Sequence, residues 1–335
     1  MNIFLFSIIV IFLSLLLIFL CNKNSFLMNQ AGDIHQEFSS HSNTPLVGGV
    51  VIFFSLSVLN FFEFNIIIIY LSAMFIIGFL SDLKKLISPL FRLLLQIIFI
   101  ILCIHSLNIN LTVTGVIFLD YLLNNYIFSI FFTAFCILVI INGSNFIDGV
   151  NSLAIGYYIV ISLALLFLKN NGFIVSFNFP LNLITACLII LFFFNLYNKL
   201  YLGDSGAYLL GFIYSFELIN FYLQNNNVSP FFIILLLWYP AFENLFSILR
   251  KTNFKKSPIM PDTNHLHQLI FLYLKKKNYT PFKANNITGI AINIYNGAIM
   301  MIALSNPSYT QLQIILIITN LSVYTLFYMR LFDYK

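Results

Sequence analysis

The sequence predicts an all-α polytopic membrane protein of about eleven transmembrane helices, on three observations. Hydrophobic residues make up 60% of the 335 positions, charged residues 8%, and mean hydropathy is +0.95. No soluble domain has enough interior to hide that much apolar surface. The apolar residues form unbroken runs of the ~20 residues a helix needs to cross a bilayer, not the alternation of an outer-membrane strand. Finally, the cations are segregated onto one set of connecting loops.

The runs lie near residues 3–21, 46–62, 65–81, 89–107, 127–147, 150–168, 180–197, 205–223, 230–249, 286–303 and 311–329. No Lys or Arg precedes the first, Lys23 being the earliest, so it reads as a retained helix and not a cleaved signal. Eleven spans put 22–45, 82–88, the join at 148, 198–204, 250–285 and the tail from Arg330 on one side. Of the 16 Lys and Arg residues, 15 lie in or beside those loops, and Lys169 alone lies opposite. That side is therefore expected to be cytoplasmic, with the amino terminus outside and the carboxy terminus inside. The same threading gathers Asp82, Asp148, Asp204, Glu243 and Asp262 on the cytoplasmic face, beside His265 and His267. Acids at a membrane edge are functional candidates, because a carboxylate costs roughly 2.5–3.5 kcal/mol at a bilayer centre.

The second helix opens through Thr44-Pro45-Leu46-Val47-Gly48-Gly49. Thr before Pro suits a helix start, and paired glycines admit a close backbone or ligand. The third ends in Ser81-Asp82-Leu83-Lys84-Lys85, where the helix dipole disfavours an acid, so Asp82 implies a positive partner. Between the fifth and sixth, Asn142-Gly143-Ser144-Asn145-Phe146-Ile147-Asp148-Gly149-Val150-Asn151 interrupts a long apolar stretch with amides. Polar backbone at that depth needs surrounding protein or a water-filled cavity. Gly203-Asp204-Ser205-Gly206 opens the eighth, where Asp204 either caps the helix or points at a divalent cation. Its likeness to the string around serine-protease nucleophiles is set aside, because a membrane helix offers no triad.

The last cytoplasmic loop runs from Arg250-Lys251 through Lys255-Lys256 to Asp262 and His265-Leu266-His267-Gln268. A complete zinc set is missing, so the imidazoles read as phosphate donors. Leu266, Leu269, Ile270, Tyr273 and Leu274 then form an apolar stripe ending in Lys275-Lys276-Lys277, which predicts an interfacial amphipathic helix. Cys21, Cys103, Cys136 and Cys187 are isolated and read as packing residues.

Taken in order, these stretches resemble the polyprenyl-phosphate N-acetylhexosamine-1-phosphate transferases of glycosyltransferase family 4. Thr44-Pro45 with Gly48-Gly49 is similar to the family's TPxxGG entry, and Ser81-Asp82 to its paired aspartates. Residues 142–153 resemble NxxNxxDGxDGL, Asp204 the GDxGS/A motif, and His265-Leu266-His267-Gln268 the histidine loop. Ser81, Asn151 and Gln268 depart from the pattern, each standing where the family has an acid or a His. The details look closer to the O-antigen and surface-polysaccharide branch than to the peptidoglycan branch.

The resemblance implies transfer of a sugar-1-phosphate from a UDP-sugar to a polyprenyl phosphate in the bacterial inner membrane, with Mg²⁺, or Mn²⁺ in its place. The expected catalytic residues are Asp82, Asp148, His265 and His267, and Asp204 with Asp82 would hold the metal. Thr44, Asn142, Asn145, Asn151, Arg250 and Asp262 are expected around the substrates. Expected partners are the UDP-sugar, the lipid phosphate and the bilayer, with a homodimer admissible and no nucleic-acid polymer. Two competing readings are a transporter or flippase, and an inactive relative serving in assembly.

Overall fold

A computed structural model describes residues 2–29, 44–59, 66–86, 88–253 and 264–334. Among these the chain forms fourteen α-helices and no strand, with one isolated bridge between Met28 and Pro45. They are α1 (Ile3–Asn24), α2 (Gly48–Leu59), α3 (Ile67–Asp82), α4 (Pro89–Leu107), α5 (Ile117–Leu123), α6 (Tyr126–Ile147) and α7 (Leu153–Asn170). After them come α8 (Leu181–Leu196), α9 (Gly203–Gln224), α10 (Pro230–Leu236), α11 (Trp238–Asn253), α12 (Leu266–Lys276), α13 (Pro281–Leu304) and α14 (Thr310–Asp333).

Seven helices, α1, α4, α6, α7, α9, α13 and α14, are long and apolar enough to cross a membrane. Three shorter apolar helices, α2, α3 and α8, occupy three more of the predicted runs. The outer faces of α1, α6 and α14 expose Phe4, Phe12, Phe131, Phe135, Ile315 and Ile318. Apolar side chains presented so densely belong against lipid. The four cysteines are free.

Helix starts follow local chemistry. Ser88 accepts the N–H of Phe91 ahead of Pro89 in α4, and Thr280 accepts that of Lys283 ahead of Pro281 in α13. Two elements differ from the sequence expectation. The 108–126 connection contains α5, and the 230–249 run is two helices, α10 and α11, bent by 75°. Pro240 is the physical reason for the bend, since it lacks an N–H and clashes with the carbonyl four residues back. That carbonyl belongs to Leu236, and it accepts the Tyr157 hydroxyl at 2.8 Å instead.

The bundle centres on α9, nearly all of which is buried from Gly203 to Ile219. It packs chiefly against α6 and α3, then α2. A helix enclosed on every side must have its unpaired N-terminal amides met by neighbours, and at that end the candidate site assembles.

Candidate functional site

Gly203 turns the chain into α9 with φ +75°, a left-handed conformation suited to glycine. A Cβ there would stand 2.8 Å from Asp82 Oδ2. The carboxylate of Asp82 accepts the Asp204 N–H at 2.8 Å and the Ser205 N–H at 3.1 Å, and Ser205 Oγ donates to it at 2.6 Å. Asp148, at the end of α6, accepts the Gly203 N–H. Two carboxylates from distant segments thus meet the positive end of α9. The cation partner expected for Asp82 is that helix terminus. Close approach of α3 is possible because a Cβ at Gly78 would lie only 2.4 Å from Ser205 Cα.

Asp204 projects from the same turn. Its Oδ2 accepts from Arg92 Nη1 at 2.8 Å and from Ser81 Oγ at 2.5 Å, and the same guanidinium nitrogen donates to Ser81. Asn145 donates to the hydroxyl of Tyr208, one turn beyond Asp204, at 3.2 Å.

A second cluster lies against the first. Glu243, fully buried on α11, has Oε2 2.9 Å from His265 Nδ1 and accepts the Leu266 N–H at 3.2 Å. His267 is fully buried, 4.0 Å from Glu243, with neither ring nitrogen hydrogen-bonded. The two imidazoles stack 5.6 Å apart, and Phe146 packs 5.1 Å from His265. A Cβ at Gly149 would come within 2.5 Å of His267 Nε2. Residues 146–149 therefore join the acids to the imidazoles. Gln268 accepts the His265 N–H at 3.0 Å, a structural use for the position where the family pattern has a third His.

Burial pushes the Asp148 carboxyl well above the usual carboxylate range, and the negative charges of Asp204 and Asp82 push it the same way. Burial lowers the His267 imidazole to about 3, against the opposing pull of Glu243.

Other expected site residues serve the framework. Thr44 is buried and donates to the Asn198 carbonyl at 3.2 Å, within a strap in which Gly48 and Gly49 donate to Tyr201 and Leu202. Asn142 donates to Gln96 at 3.2 Å and to the Leu138 carbonyl at 3.0 Å. Asn151 is buried among amides: its N–H donates to Asn285 at 2.5 Å, and its side chain donates to Asn198 and Asn286. Arg250 lies over the rings of Phe246 and Tyr328 and donates to the Tyr328 hydroxyl at 3.1 Å. Thr44, Asn142, Asn151 and Arg250, expected around the substrates, thus have these partners within the fold. Asp262, Lys255 and Lys256 lie outside the described residues. Arg92 received no role from sequence, although it was visible as a charge inside an apolar run, and Glu243 was gathered with the other acids of that face without a partner of its own.

The family model for glycosyl transferase family 4 matches residues 64–222, a stretch containing Asp82, Asp148 and Asp204. Over that stretch, just under half of the chain, the protein is similar to glycosyl transferase family 4. An undecaprenyl-phosphate alpha-N-acetylglucosaminyl 1-phosphate transferase of Thermotoga maritima is 27% identical over 264 residues, 78% of this chain and 79% of the relative. A probable undecaprenyl-phosphate N-acetylglucosaminyl 1-phosphate transferase of Bacillus subtilis is 28% identical over 145 residues, 42% of this chain and 40% of its own. A decaprenyl-phosphate N-acetylglucosaminephosphotransferase of Mycolicibacterium smegmatis is 32% identical over 160 residues, 42% of this chain and 39% of its own.

A donor set of carboxylate oxygens suits a small hard cation. Among the described residues no three His, Cys, Asp or Glu side chains are arranged to close around a metal. Two carboxylates completed by substrate oxygens is how Mg²⁺ is usually bound. Asp82 has three hydrogen bonds to the first turn of α9, and Asp204 and Asp148 are the further carboxylates at that turn.

Proposed function

We propose that this protein is a glycosyl transferase of family 4 that transfers an N-acetylhexosamine-1-phosphate from a UDP-sugar to a polyprenyl phosphate in the inner membrane, beginning a lipid-linked surface polysaccharide of the O-antigen type. The observation that carries the reading is the meeting of Asp82, Asp148 and Asp204 at one helix N-terminus, inside the family match and next to two imidazoles. The names of the three relatives support the polyprenyl phosphate acceptor.

In the proposed reaction an acceptor phosphate oxygen bonds to the β-phosphorus of the UDP-sugar, the bond to the α-phosphate oxygen breaks, and UMP leaves. A phosphate monoester has its second pKa near about 6, so the acceptor is mostly dianionic at neutral pH and needs little help from a base. Positioning and charge neutralisation carry such a transfer. Asp204 and Asp148 are the residues to hold Mg²⁺, which would neutralise the diphosphate. Asp82 sets the turn that aims Asp204, and Asn145 with Tyr208 borders the sugar or nucleotide. His265 and His267, beside Glu243, form the wall behind Asp148.

Eleven spans with the amino terminus outside match this reading, with α10 and α11 counted as one broken span; the active face is then cytoplasmic. The competing transporter reading expects an acid near the membrane centre on a broken helix. The broken pair here instead carries Glu243 into the histidine cluster.

The test is an assay of protein purified in nanodiscs with polyprenyl phosphate and a panel of labelled UDP-sugars, with and without Mg²⁺, the lipid product identified by mass. Mg²⁺-dependent UMP release with a lipid-diphosphate sugar product is expected, and its loss in Asp204→Asn. Product formation unaffected by that substitution would remove the metal assignment, and no product from any sugar would favour the inactive assembly partner.

A further inference from the structure

Arg92 holds the very oxygen on which the proposed metal site depends. It stands in the first turn of α4 behind the Ser88 cap and Pro89, so its backbone is fixed while a long side chain reaches out. Nη1 lies 2.8 Å from Asp204 Oδ2, in an ion pair whose two side chains are 20% and 27% exposed. Ser81 Oγ bonds to both partners, so Oδ2 already has two donors. The guanidinium is poorly used, however. Only Nη1 contacts the carboxylate, the bidentate fork is not formed, and Nε is buried with no hydrogen-bond partner. An ion pair built only for the fold would be expected to use that fork, because leaving a buried donor unpaired forfeits its hydration with nothing in return.

We propose that Arg92 is a placeholder cation: it occupies Asp204 when the enzyme is empty, and a divalent ion must displace it. The inference rests on the metal reading above and adds a coupling to it. A single positive charge and a divalent ion repel strongly at this separation, so bare ion binds weakly. Once displaced, the guanidinium needs acceptors for several N–H groups, Nε included, and the diphosphate of a nucleotide donor offers them. Ion and donor therefore bind cooperatively, each favouring the state in which Arg92 has left Asp204. Ser81 sharpens the competition. A hydroxyl there leaves one carboxylate for two cations, where an aspartate would give the arginine a second anion to hold.

The experiment measures Mn²⁺ binding by electron paramagnetic resonance on full-length protein in nanodiscs, with and without UDP, subtracting the Mn²⁺–UDP complex formed in protein-free buffer. Wild type is compared with Arg92→Gln, Arg92→Met and Asp204→Asn. Without UDP, both neutral Arg92 variants should bind Mn²⁺ about tenfold tighter than wild type or better. UDP should tighten Mn²⁺ binding in wild type and do so far less in those variants. If Asp204→Asn abolishes binding while the Arg92 variants bind no tighter than wild type, the placeholder is overturned and the metal site stands. Absence of UDP coupling in wild type overturns it even where both variants fail to fold. Undiminished Mn²⁺ binding by Asp204→Asn sinks the metal reading itself.

Discussion

The backbone N–H of Asp204 donates to Asp82 Oδ1 at 2.8 Å across 122 residues of sequence. One acid of the site therefore fixes the turn from which another projects, and the two should fail differently when altered. Asp82→Asn replaces a carboxylate oxygen with an NH2 group where two amides and a hydroxyl need an acceptor. It should cost about 2 kcal/mol of stability together with most of the transfer activity. Asp204→Asn breaks a partly exposed ion pair, so its stability should change by less than about 1 kcal/mol while activity is lost. Thermal unfolding midpoints beside UMP release rates separate the two roles.

Glu243 braces His265 and the start of α12 from a fully buried position. Glu243→Ala should destabilise the protein by about 3 kcal/mol, because the amide of Leu266 and the imidazole lose their acceptor together. Glu243→Gln keeps an acceptor for one of them and should fall between. Unfolding in a graded denaturant with intrinsic tyrosine and tryptophan fluorescence reads the order directly.

The pH dependence has a definite sign for each shifted group. The folded value for His267 is depressed to about 3, whereas an unfolded His titrates near about 6.5. Its contribution is complete above about 6.5 and is lost as the pH falls toward 3. Asp148 is raised, so its burial penalises the fold as pH rises past the ordinary Asp value of about 3.9. A divalent ion that binds Asp148 must displace that proton, so metal affinity should weaken by up to about tenfold per unit as pH is lowered through the raised value. Mn²⁺ titrations at several pH values check this, and His267→Phe should flatten the stability profile below pH 6.5.

A methyl group at Gly78 would meet Ser205 Cα at 2.4 Å, a backbone contact with no flexible end to yield. Gly78→Ala should push α3 from α9, lengthen the Asp82 bonds and reduce activity more than it lowers expression in the membrane. Parallel immunoblots and UMP release assays measure both.

The bend between α10 and α11 is held by Tyr157, whose hydroxyl meets the Leu236 carbonyl. Tyr157→Phe removes that donor and should cost about 1–3 kcal/mol. An unchanged unfolding midpoint would show the carbonyl to be satisfied by another group.

Much of the fold was legible because lipid imposes a one-dimensional rule. A run of about 20 apolar residues must become helix, and each predicted run contains at least one helix. Asp82, Asp148 and Asp204 stood out for the same reason, being acids at the ends of such runs. The bend in the 230–249 run was less legible, although Pro240 was in plain view, because one Pro in an apolar run either breaks a helix or is accommodated by neighbours.

By itself the sequence determined an all-helical membrane class, and that the acids and imidazoles are candidates for one site; composition and spacing suffice for both. Only the tertiary structure decided which lone pairs are already in use. Thr44 and Asn151 went to the framework, Asp82 to the amides of α9, and Asp204 to Arg92 and Ser81. A hydrogen bond belongs to two partners, and here those partners come from helices far apart in the chain, where no local pattern connects them.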